Sequence, residues 1–254
     1  MVKIKAIILC AGYATRLYPL TLNKPKPLLL VGGKPMIEYI VENIDEIAEV
    51  DTIYVVTNHK FKSVFDVWLS SYDALKKIKI IDDCTLSNED RLGAIGDINF
   101  VIDKEKVVDD LLVVAGDNLF DFDLDDLVDV MKKKNSSVLA VRDLKDPKLL
   151  AKKFGTILLD KGNKVVDFEE KPEHPKSSIA ATAIYLFKKE DIVEISNCLR
   201  DKPKLDNSGD FIKYLIGKKP VYAYIMDGDW IDIGGKEELR QADIFYGGDG
   251  VGYE

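Results

Sequence analysis

The segment LCAGYATRLYPLT, residues 9–21, places a glycine and an arginine immediately after an apolar run. Gly12 has no Cβ, so its backbone can approach a ligand closely, and Arg16 offers forked donors that match phosphate oxygens. Lys24 and Lys26 follow in NKPKPLL, where two prolines restrict the backbone to a stiff, extended path. This spacing predicts a cation-rich site for an anionic ligand beside the end of one strand.

Neither of the common nucleotide-binding loops is present. A Walker A loop requires GKS or GKT and the dinucleotide fingerprint requires GxGxxG, whereas GYATRL satisfies neither. A nucleoside triphosphate still needs backbone donors and cations near its phosphates, and this segment supplies both. A lone glycine followed by an arginine is also compatible with an ordinary surface turn, so the motif alone does not decide between these interpretations.

Two aspartates from distant segments have surroundings that suit metal ligands. In LLVVAGDNLF an apolar strand ends at Gly116 and delivers Asp117 to the edge of a sheet, and Asp232 lies within the short apolar part of DGDWIDIGG. Mg²⁺ prefers oxygen ligands and often takes one or two carboxylates together with substrate phosphates and waters. A turn or cap role is the alternative for Asp117. Because an unpaired buried carboxylate is costly, we predict that Asp117 and Asp232 hold Mg²⁺ and bridge it to a phosphate.

A charged pair follows a third predicted strand. Glu170 and Lys171 in FEEKP come after residues 165–168 and can direct one acceptor and one donor into a cleft. A solvated run of charges is the alternative interpretation. We expect the preceding Glu169 to be the solvent-facing member of the segment.

The elements that must position these residues alternate along the first half of the chain. Apolar, β-branched runs predict buried strands at residues 6–9, 52–56, 78–81 and 111–115. Helical spacing predicts helices from Pro35 and over residues 61–69 and 124–131. This alternation predicts an α/β fold with a Rossmann-like, mostly parallel central sheet flanked by helices.

The second half is richer in strands. Residues 137–142, 155–159, 164–168, 181–187 and 221–225 have strand patterns, and residues 190–198, 211–216 and the segment from Lys236 have helical patterns. No Pro/Gly/Ser linker separates the halves, so we predict one domain with an inserted β-rich substrate-binding region.

The composition limits the classes of protein. With 46% hydrophobic and 31% charged residues the chain is globular, and its net charge of −8 argues against nonspecific binding of nucleic acid. The apolar start, MVKIKAIIL, is too short for a membrane span and lacks a cleavage region, so we expect a cytoplasmic protein with no membrane partner. Cys10, Cys84 and Cys198 have neither disulfide-framework nor zinc-site spacing and are expected to be reduced, buried thiols.

Together these segments resemble the sugar-1-phosphate nucleotidylyltransferases, and most closely the glucose-1-phosphate thymidylyltransferase branch. LCAGYATRLYPLT with KPKPLLLVGGKPM is similar to the family signature GGxGTRLxPLT and its KPKxLLPV continuation. GDNLF matches the metal-binding segment, FEEKPEHPKSSIAATAIYLF resembles the sugar-phosphate segment, and WIDIGG resembles WxDxGT. The resemblance covers nearly the whole chain.

The resemblance implies roles for individual residues. Phosphate stabilisation during catalysis would fall to Arg16, Lys26 and Lys171, and Mg²⁺ binding to Asp117 and Asp232. The nucleotide-binding residues implied are Ala11, Gly12, Thr15, Arg16, Gly93 and Asp117. The substrate-binding residues implied are Gly155, Glu170, Lys171 and Thr182, with Asp206 near a family carboxylate that contacts sugar hydroxyls.

The resemblance also implies an organisation and a reaction. Residues 1–135 would form the nucleotide-binding half of a single domain, residues 136–226 the sugar-phosphate region, and residues 227–254 the metal-binding segment with a terminal helix. The reaction would join a sugar-1-phosphate, expected to be glucose-1-phosphate, to the nucleotidyl group of dTTP or UTP and release pyrophosphate. Dimers and tetramers are usual among relatives, so a homo-oligomer is a further expectation.

The sequence allows two alternative functions, and it departs from the family pattern in two segments. A cytidylyltransferase acting on phosphocholine or another alcohol phosphate would use the same cations, with Tyr185 and Trp230 available for a quaternary ammonium. A non-catalytic nucleotide-sugar sensor would keep the fold without turnover. In the signature, Ala11 and Ala14 replace glycines. In the base-reading segment DRLGAIGDI, Asp90 stands where a glycine is often found, which leaves the base open.

Overall fold

The computed structural model describes residues 3–202 and 207–250. Its strands are Ile4–Leu9 (β1), Leu30–Val31 (β2), Lys34–Pro35 (β3), Val50–Thr57 (β4), Lys77–Asp82 (β5), Asp110–Ala115 (β6), Asn118–Phe120 (β7), Ser137–Asp143 (β8), Thr156–Leu159 (β9), Val165–Glu169 (β10), Ile179–Phe187 (β11), Val221–Ile225 (β12) and Trp230–Asp232 (β13). Its α-helices are Met36–Asp45 (α1), His59–Ser71 (α2), Gly93–Glu105 (α3), Leu124–Lys134 (α4), Lys189–Asp201 (α5), Ser208–Ile216 (α6) and Lys236–Phe245 (α7).

The first half of the chain forms parallel strands. β1 pairs with β4 on one side and β6 on the other, and β4 pairs with β5, all in parallel. The chain thus adds strands outward to β5 and then returns to the opposite side of β1. Open α/β sheets bind ligands at the carboxyl ends of strands where the strand order reverses in this way. The ends of β1 and β6 are therefore the expected ligand position.

The second half extends the same sheet with antiparallel pairs. β11 pairs antiparallel with β6, β8 and β9, the β9–β10 hairpin continues from it, and β12 runs parallel to β8. A nine-stranded central sheet with helices on its faces results, as the alternation of patterns predicted. The strands predicted for the β-rich region are confirmed, and they join the central sheet directly.

Helices cover both faces of the sheet. One apolar core contains residues of α1, α2 and α4, and the other contains residues of α3, α5 and α6. Ile8 of β1 packs into the first core and Ile7 into the second, as expected for the alternation of side chains in a strand buried on both faces. Each such buried aliphatic side chain contributes about 1.5–3 kcal/mol relative to an exposed one.

A third, smaller core supports the segments at the position expected for a ligand. Leu17, Leu119, Ile233 and Leu239 belong to it, together with Met36 at the start of α1. It packs the first loop, the β7–β13 ribbon and α7 against one another. In that antiparallel ribbon Asp232 pairs with Asn118, so the two predicted metal-binding segments meet.

α3 is the helix that the sequence patterns did not predict. Its sequence GAIGDINFVIDKE contains two glycines, which weaken helix propensity. Ile95, Ile98 and Val101 are nevertheless buried at helical spacing against the second core. Tertiary packing of this face therefore overrides the local preference.

Two expectations on the thiols are confirmed and one is wrong. Cys10 and Cys198 are buried, whereas Cys84 is exposed, in a left-handed conformation after β5. None of the helices in the described residues combines the length and the apolar character that a bilayer span requires.

Candidate active site

A cavity of about 460 Å³ opens at the carboxyl ends of β1 and β6. Its size falls in the range of small-molecule sites. The predicted site residues on its wall are Gly12, Thr15, Arg16, Lys26, Asp117, Gly155, Glu170, Lys171, Thr182 and Asp232. One cavity therefore collects the phosphate, metal and substrate segments that the sequence analysis treated separately.

Ala11 and Gly93, both predicted to bind nucleotide, do not line this cavity. Ala11 is buried behind the first loop, and its carbonyl accepts a hydrogen bond from Asn58 Nδ2 at 2.9 Å. Gly93 begins α3 in a left-handed conformation (φ 76°), while its neighbour Ala94 reaches the wall. Their structural contribution is to set the path of the backbone beside the cavity. Asp206 lies outside the described residues.

The first loop turns sharply after β1. Ala14 adopts a left-handed conformation (φ 47°, ψ 44°), and residues Thr15–Leu17 then form one short 3₁₀ turn. Thr21 Oγ1 donates to the Ala14 carbonyl at 2.8 Å, which fixes this bend. Gly12 stays exposed, with no atom within 4 Å of the position a Cβ would take. The loop thus presents bare backbone at Gly12 and the Arg16 side chain to the same cavity.

Lys26 reaches the cavity from a second 3₁₀ turn, Lys26–Leu28. Its Nζ lies 2.8 Å from Asp117 Oδ2, and the Lys26 side chain is only 11% exposed. Lys24, the other lysine of the NKPKPLL segment, is not on the cavity wall. Of the three cations expected beside β1, Arg16 and Lys26 are therefore the two that the structure brings to the cavity.

Asp232 lies beside Asp117 on the cavity wall. Burial and, second, the negative charge of Asp117 raise the pKa of Asp232 to about 6, while the positive charges of Lys26 and Lys171 oppose this rise. In the described part of the chain, the Asp232 carboxylate has no hydrogen-bond donor of its own. A buried carboxylate beside a second one is an electrostatically costly arrangement that a bound cation would relieve.

The donor set suits Mg²⁺. No group of three or more His, Cys, Asp and Glu side chains forms a metal cage within the described residues. Mg²⁺ does not need such a cage, since one or two carboxylates with phosphate oxygens and waters satisfy it. Asp117 and Asp232 fit that pattern.

Asn118 and Trp230 support the two carboxylates, and sequence reasoning assigned neither of them this role. Asn118 is buried; its Oδ1 accepts from Trp230 Nε1 at 2.7 Å and its Nδ2 donates to Asp117 Oδ1 at 3.3 Å. The Trp230 ring lies 5.0 Å from that of Phe154, which precedes Gly155. The ribbon that carries the carboxylates thus contacts the loop that carries the substrate segment.

Glu170 occupies a slot between two glycines. A Cβ at Gly155 would lie 2.6 Å from Phe168 Cζ and 3.3 Å from Glu170 Oε2, and at Gly209 the corresponding distances would be 2.2 Å and 2.8 Å. Burial raises the pKa of Glu170, Lys171 lowers it and Asp210 raises it. Gly209 was not predicted, because its partner Phe168 is remote in sequence.

The residues before and after Glu170 have surroundings different from those of Glu170. Glu169 pairs with Lys176 outside the cavity, but its side chain is 27% exposed and that of Glu170 is 28% exposed, so Glu169 is not the more solvent-facing of the two as expected. Lys171 adopts a left-handed conformation (φ 41°) at the turn that follows and points into the cavity. Thr182 lies on the wall, but its hydroxyl donates to the Ala140 carbonyl at 2.8 Å. This proton therefore links two strands of the sheet and is not available to a ligand.

Asp90, at which the segment DRLGAIGDI departs from the family, lies in the loop before α3. Asp90 accepts hydrogen bonds from the backbone of Leu86 and Ser87 at 3.0 and 2.7 Å and from the Ser87 hydroxyl. This carboxylate therefore shapes the loop, and it does not line the cavity. Ala94, which the resemblance matches together with Gly93, does line the cavity. Its wall also includes residues that were not predicted, among them Tyr13, Asn88, Arg91, Lys153 and Phe154.

The histidines have no place in this cavity. His59 pairs with Asp82 at 2.7 Å, and neither His59 nor His174 lines the wall. The expectation that no histidine base is needed is compatible with this arrangement. The chemistry available at the site is charge neutralisation and orientation of phosphates.

Comparisons with known proteins identify the family. The model of the nucleotidyl transferase family matches residues 5–247. The bifunctional protein GlmU of Methanocaldococcus jannaschii is 33% identical over 245 residues, which are 94% of this chain and 53% of that protein. The glucose-1-phosphate adenylyltransferase of Clostridium novyi is 30% identical, over 94% of this chain and 65% of that protein. The chain spans about half the length of the GlmU relatives that it matches.

Solved structures show the same fold. A UDP-glucose pyrophosphorylase in complex with UDP-glucose superimposes with a TM-score of 0.81 at 22% identity, covering 97% of this chain and 98% of that one. At this identity the likeness concerns the fold alone.

Proposed function

This chain belongs to the nucleotidyl transferase family, and we propose that it transfers a nucleotidyl group from a nucleoside triphosphate to a sugar-1-phosphate, releasing pyrophosphate. The observation that carries the proposal is the single cavity in which Arg16, Lys26 and Lys171 face the Asp117–Asp232 pair. The curated relatives include a glucose-1-phosphate adenylyltransferase, in keeping with this reaction class.

The reaction needs no covalent enzyme intermediate. An oxygen of the sugar-1-phosphate, already an anion, attacks the α-phosphorus in line; the bond from that phosphorus to the bridging oxygen breaks, and the electron pair leaves with pyrophosphate. The residues of the site then have two tasks, orientation and neutralisation of charge, as is general for phosphoryl transfer.

The cations divide these tasks. Arg16, on the first loop, and Lys26, buried beside Asp117, would bind the phosphates that leave as pyrophosphate. Lys171, at the turn after β10, would bind the incoming sugar phosphate, and Glu170 next to it would accept hydrogen bonds from sugar hydroxyls. Both sets of phosphates would then lie near the proposed metal site at Asp117 and Asp232.

Mg²⁺ is the proposed cofactor, held by Asp117 and Asp232. When bound, it would polarise the α-phosphate and neutralise charge that develops there. The mutually repelling carboxylates of Asp117 and the largely buried Asp232 support this proposal.

For the substrates we propose glucose-1-phosphate with dTTP or UTP. The support is the motif resemblance together with the partly buried Glu170 in its two-glycine slot, an acceptor that can serve neighbouring ring hydroxyls. The relatives named above include an adenylyltransferase and a UDP-glucose pyrophosphorylase, so family membership does not choose the base.

The test is a grid of substrates. Purified protein with Mg²⁺ is given each common nucleoside triphosphate against glucose-1-phosphate, mannose-1-phosphate, galactose-1-phosphate, N-acetylglucosamine-1-phosphate and phosphocholine, and released pyrophosphate is measured. We expect the fastest release with glucose-1-phosphate and dTTP or UTP. Release with another sugar phosphate would correct the substrate and keep the reaction class.

The same grid separates the alternatives. Release only with CTP and phosphocholine would establish the cytidylyltransferase, for which Trp230, Phe154 and Tyr185 on the wall would provide aromatic faces. Tight binding of a nucleotide sugar without any release would establish the sensor. Both outcomes contradict the proposed function.

A further inference from the structure

Two hydroxyl groups meet on the wall of the cavity that also contains Asp117 and Asp232. Tyr185 Oη and Ser208 Oγ lie 3.0 Å apart, and both residues line the cavity. Tyr185 belongs to β11 and Ser208 is the first residue of α6, so the contact joins the central sheet to a helix. No role was assigned to Ser208 from the sequence, and Tyr185 was considered there only for a choline site.

The backbone delivers Tyr185 to this position through an irregularity in β11. The register with β8 shifts between Ala181 and Tyr185, and Ala183 takes a left-handed conformation (φ 57°) within the shift. Irregularities of this kind re-aim side chains and are common next to active sites. Beyond the shift, the Tyr185 ring stacks on Phe187 at 5.7 Å and is 2% exposed.

The two hydroxyls have hydrogen-bonding capacity left over. In the part of the chain that the structure describes, each hydroxyl has only the other as a side-chain partner. Each carries one proton and two acceptor lone pairs, so the pair uses one proton internally and keeps the second for another acceptor. Leaving a buried donor unused is costly, and both residues line the cavity, where a ligand can accept the second proton. Burial raises the pKa of Tyr185 far above its ordinary value, so the phenol remains a neutral donor.

Glu170 completes a polar cluster with this pair. Its carboxylate lies against Gly209, the residue after Ser208, and the negative charge of Glu170 raises the pKa of Tyr185. Phe168 closes the apolar side of the slot. A carboxylate that accepts and a hydroxyl pair that donates therefore converge on one small volume. A ring with several adjacent hydroxyls, each both donor and acceptor, matches that arrangement.

We infer that the Tyr185–Ser208 pair determines sugar specificity: it hydrogen-bonds one ring hydroxyl of the sugar phosphate while Glu170 holds others. This inference rests on the proposed function. A site built to hydrogen-bond a substrate hydroxyl rejects an analogue without it far more strongly than an apolar pocket rejects one. The pair would thus select sugars that carry the hydroxyl at that ring position.

The test pairs a protein hydroxyl with a substrate hydroxyl. kcat/KM is measured for wild type, Ser208→Ala and Tyr185→Phe with the sugar-1-phosphate that the grid identifies and with its mono-deoxy analogues, one for each ring hydroxyl. Ser196→Ala and Tyr214→Phe are matched controls, because both hydroxyls lie outside the cavity and bond Val193 and Asp201. Thermal melts check that all variants are folded.

For the full substrate we expect roughly fivefold to tenfold lower kcat/KM in Ser208→Ala and Tyr185→Phe, the scale of one neutral hydrogen bond. The KM for the triphosphate should stay at the wild-type value in both variants. The two control variants should keep the wild-type kcat/KM. With one particular deoxy analogue, wild type and the two variants should become equal, because the partner hydroxyl is already missing.

Two results would overturn the inference. An active wild type with no loss in either variant, or a loss of the same size with every deoxy analogue, would show that the pair only ties α6 to the sheet. A wild type that forms no nucleotide sugar from any sugar phosphate would instead overturn the proposed function, and this inference with it.

Discussion

At the scale of single residues, the cavity combines three cations with two carboxylates that repel one another. Arg16, Lys26 and Lys171 gather at one site of a chain whose net charge is −8, around two aspartates that destabilise one another. This arrangement favours a ligand set that carries both cation and anion, such as Mg²⁺ with phosphates. Three substitutions test how the roles are divided.

Arg16→Ala should weaken use of the triphosphate. Arg16 is exposed and extends from the first loop into the cavity. Its loss should lower kcat/KM for the triphosphate by an amount that corresponds to about 2 kcal/mol or more of lost transition-state stabilisation, the scale of one donor. Steady-state kinetics measures this. Arg240→Ala is the matched control, since Arg240 pairs with Glu237 on the surface of α7. Equal kcat/KM in both variants would make Arg16 an ordinary surface arginine.

Asp117→Asn should lower the chemical rate much more than it weakens binding of the sugar phosphate. The amide keeps the shape but loses the charge that pairs with Lys26 and the proposed Mg²⁺, so we expect kcat to fall by roughly 100-fold or more. Single-turnover kinetics and calorimetric titration with the sugar phosphate separate the two effects. Asp229→Asn, at an exposed turn, serves as the control. Wild-type turnover in Asp117→Asn would refute the metal assignment.

Metal affinity should depend on pH through Asp232. With a pKa raised to about 6, this carboxyl holds its proton below that pH and cannot bind a cation, so Mn²⁺ binding should weaken by about tenfold per unit below pH 6 and level off above it. Titration of the metal-free protein with Mn²⁺ between pH 5 and 7 measures the effect. Asp232→Asn should bind weakly throughout, and a wild-type affinity that is constant over this range contradicts the assignment.

The same shift has a consequence for the stability of the metal-free protein. The unfolded carboxyl releases its proton near pH 4, whereas folded Asp232 retains it to about pH 6. Since the folded state binds more protons in this window, this group's contribution to the free energy of unfolding is present below pH 4 and is lost as pH rises to about 6.

At the scale of elements, the first loop departs from the family at a position that demands glycine-like freedom. Ala14 takes the left-handed conformation, which costs an L-residue about 1–2 kcal/mol. The loop keeps this shape because the Thr21 hydroxyl and the buried Leu17 fix it. The alanine that replaces glycine at position 14 therefore introduces backbone strain beside the proposed phosphate site.

Ala14→Gly should stabilise the protein. Relief of the left-handed strain exceeds the added entropy of an unfolded glycine, so the free energy of unfolding should rise by about 0.5–1 kcal/mol. Thermal and urea unfolding measure this change. Ala48→Gly is the control at an exposed turn without positive φ, and it should destabilise slightly. A lower stability in Ala14→Gly would show that the loop is not strained there.

Elements with a strong local pattern could be predicted, and those set by distant contacts could not. α1 follows directly from the spacing of Met36, Ile37, Ile40, Val41 and Ile44, all of which are buried. α3 was missed because its glycines obscure a face that only the second core defines. Ser208, Gly209 and Asn118 were missed for a related reason, since their partners Tyr185, Phe168 and Trp230 come from other strands.

At the scale of the whole molecule, the central sheet and the separate β7–β13 ribbon bring the segments of the site together. β1 and β6 end at the cavity, β10 and β11 bring the proposed sugar side, and the β7–β13 ribbon brings Asp232 back from the far end of the chain. The motifs identified segments that line the cavity, and those of Gly12, Asp117 and Glu170 each follow a strand. Which side chains of those segments face the cavity depends on register and on bulges, as Ala11, Gly93 and Asp90 illustrate.

The most direct measurement is ³¹P NMR of the complete reaction. The protein is mixed with Mg²⁺, glucose-1-phosphate and dTTP or UTP, with Asp117→Asn as the parallel sample. We expect the diphosphate signals of a nucleotide sugar and free pyrophosphate to grow in equal amounts, and only when sugar phosphate and Mg²⁺ are both present. Nucleoside diphosphate with inorganic phosphate in place of those products, or no turnover with any sugar phosphate, would contradict it.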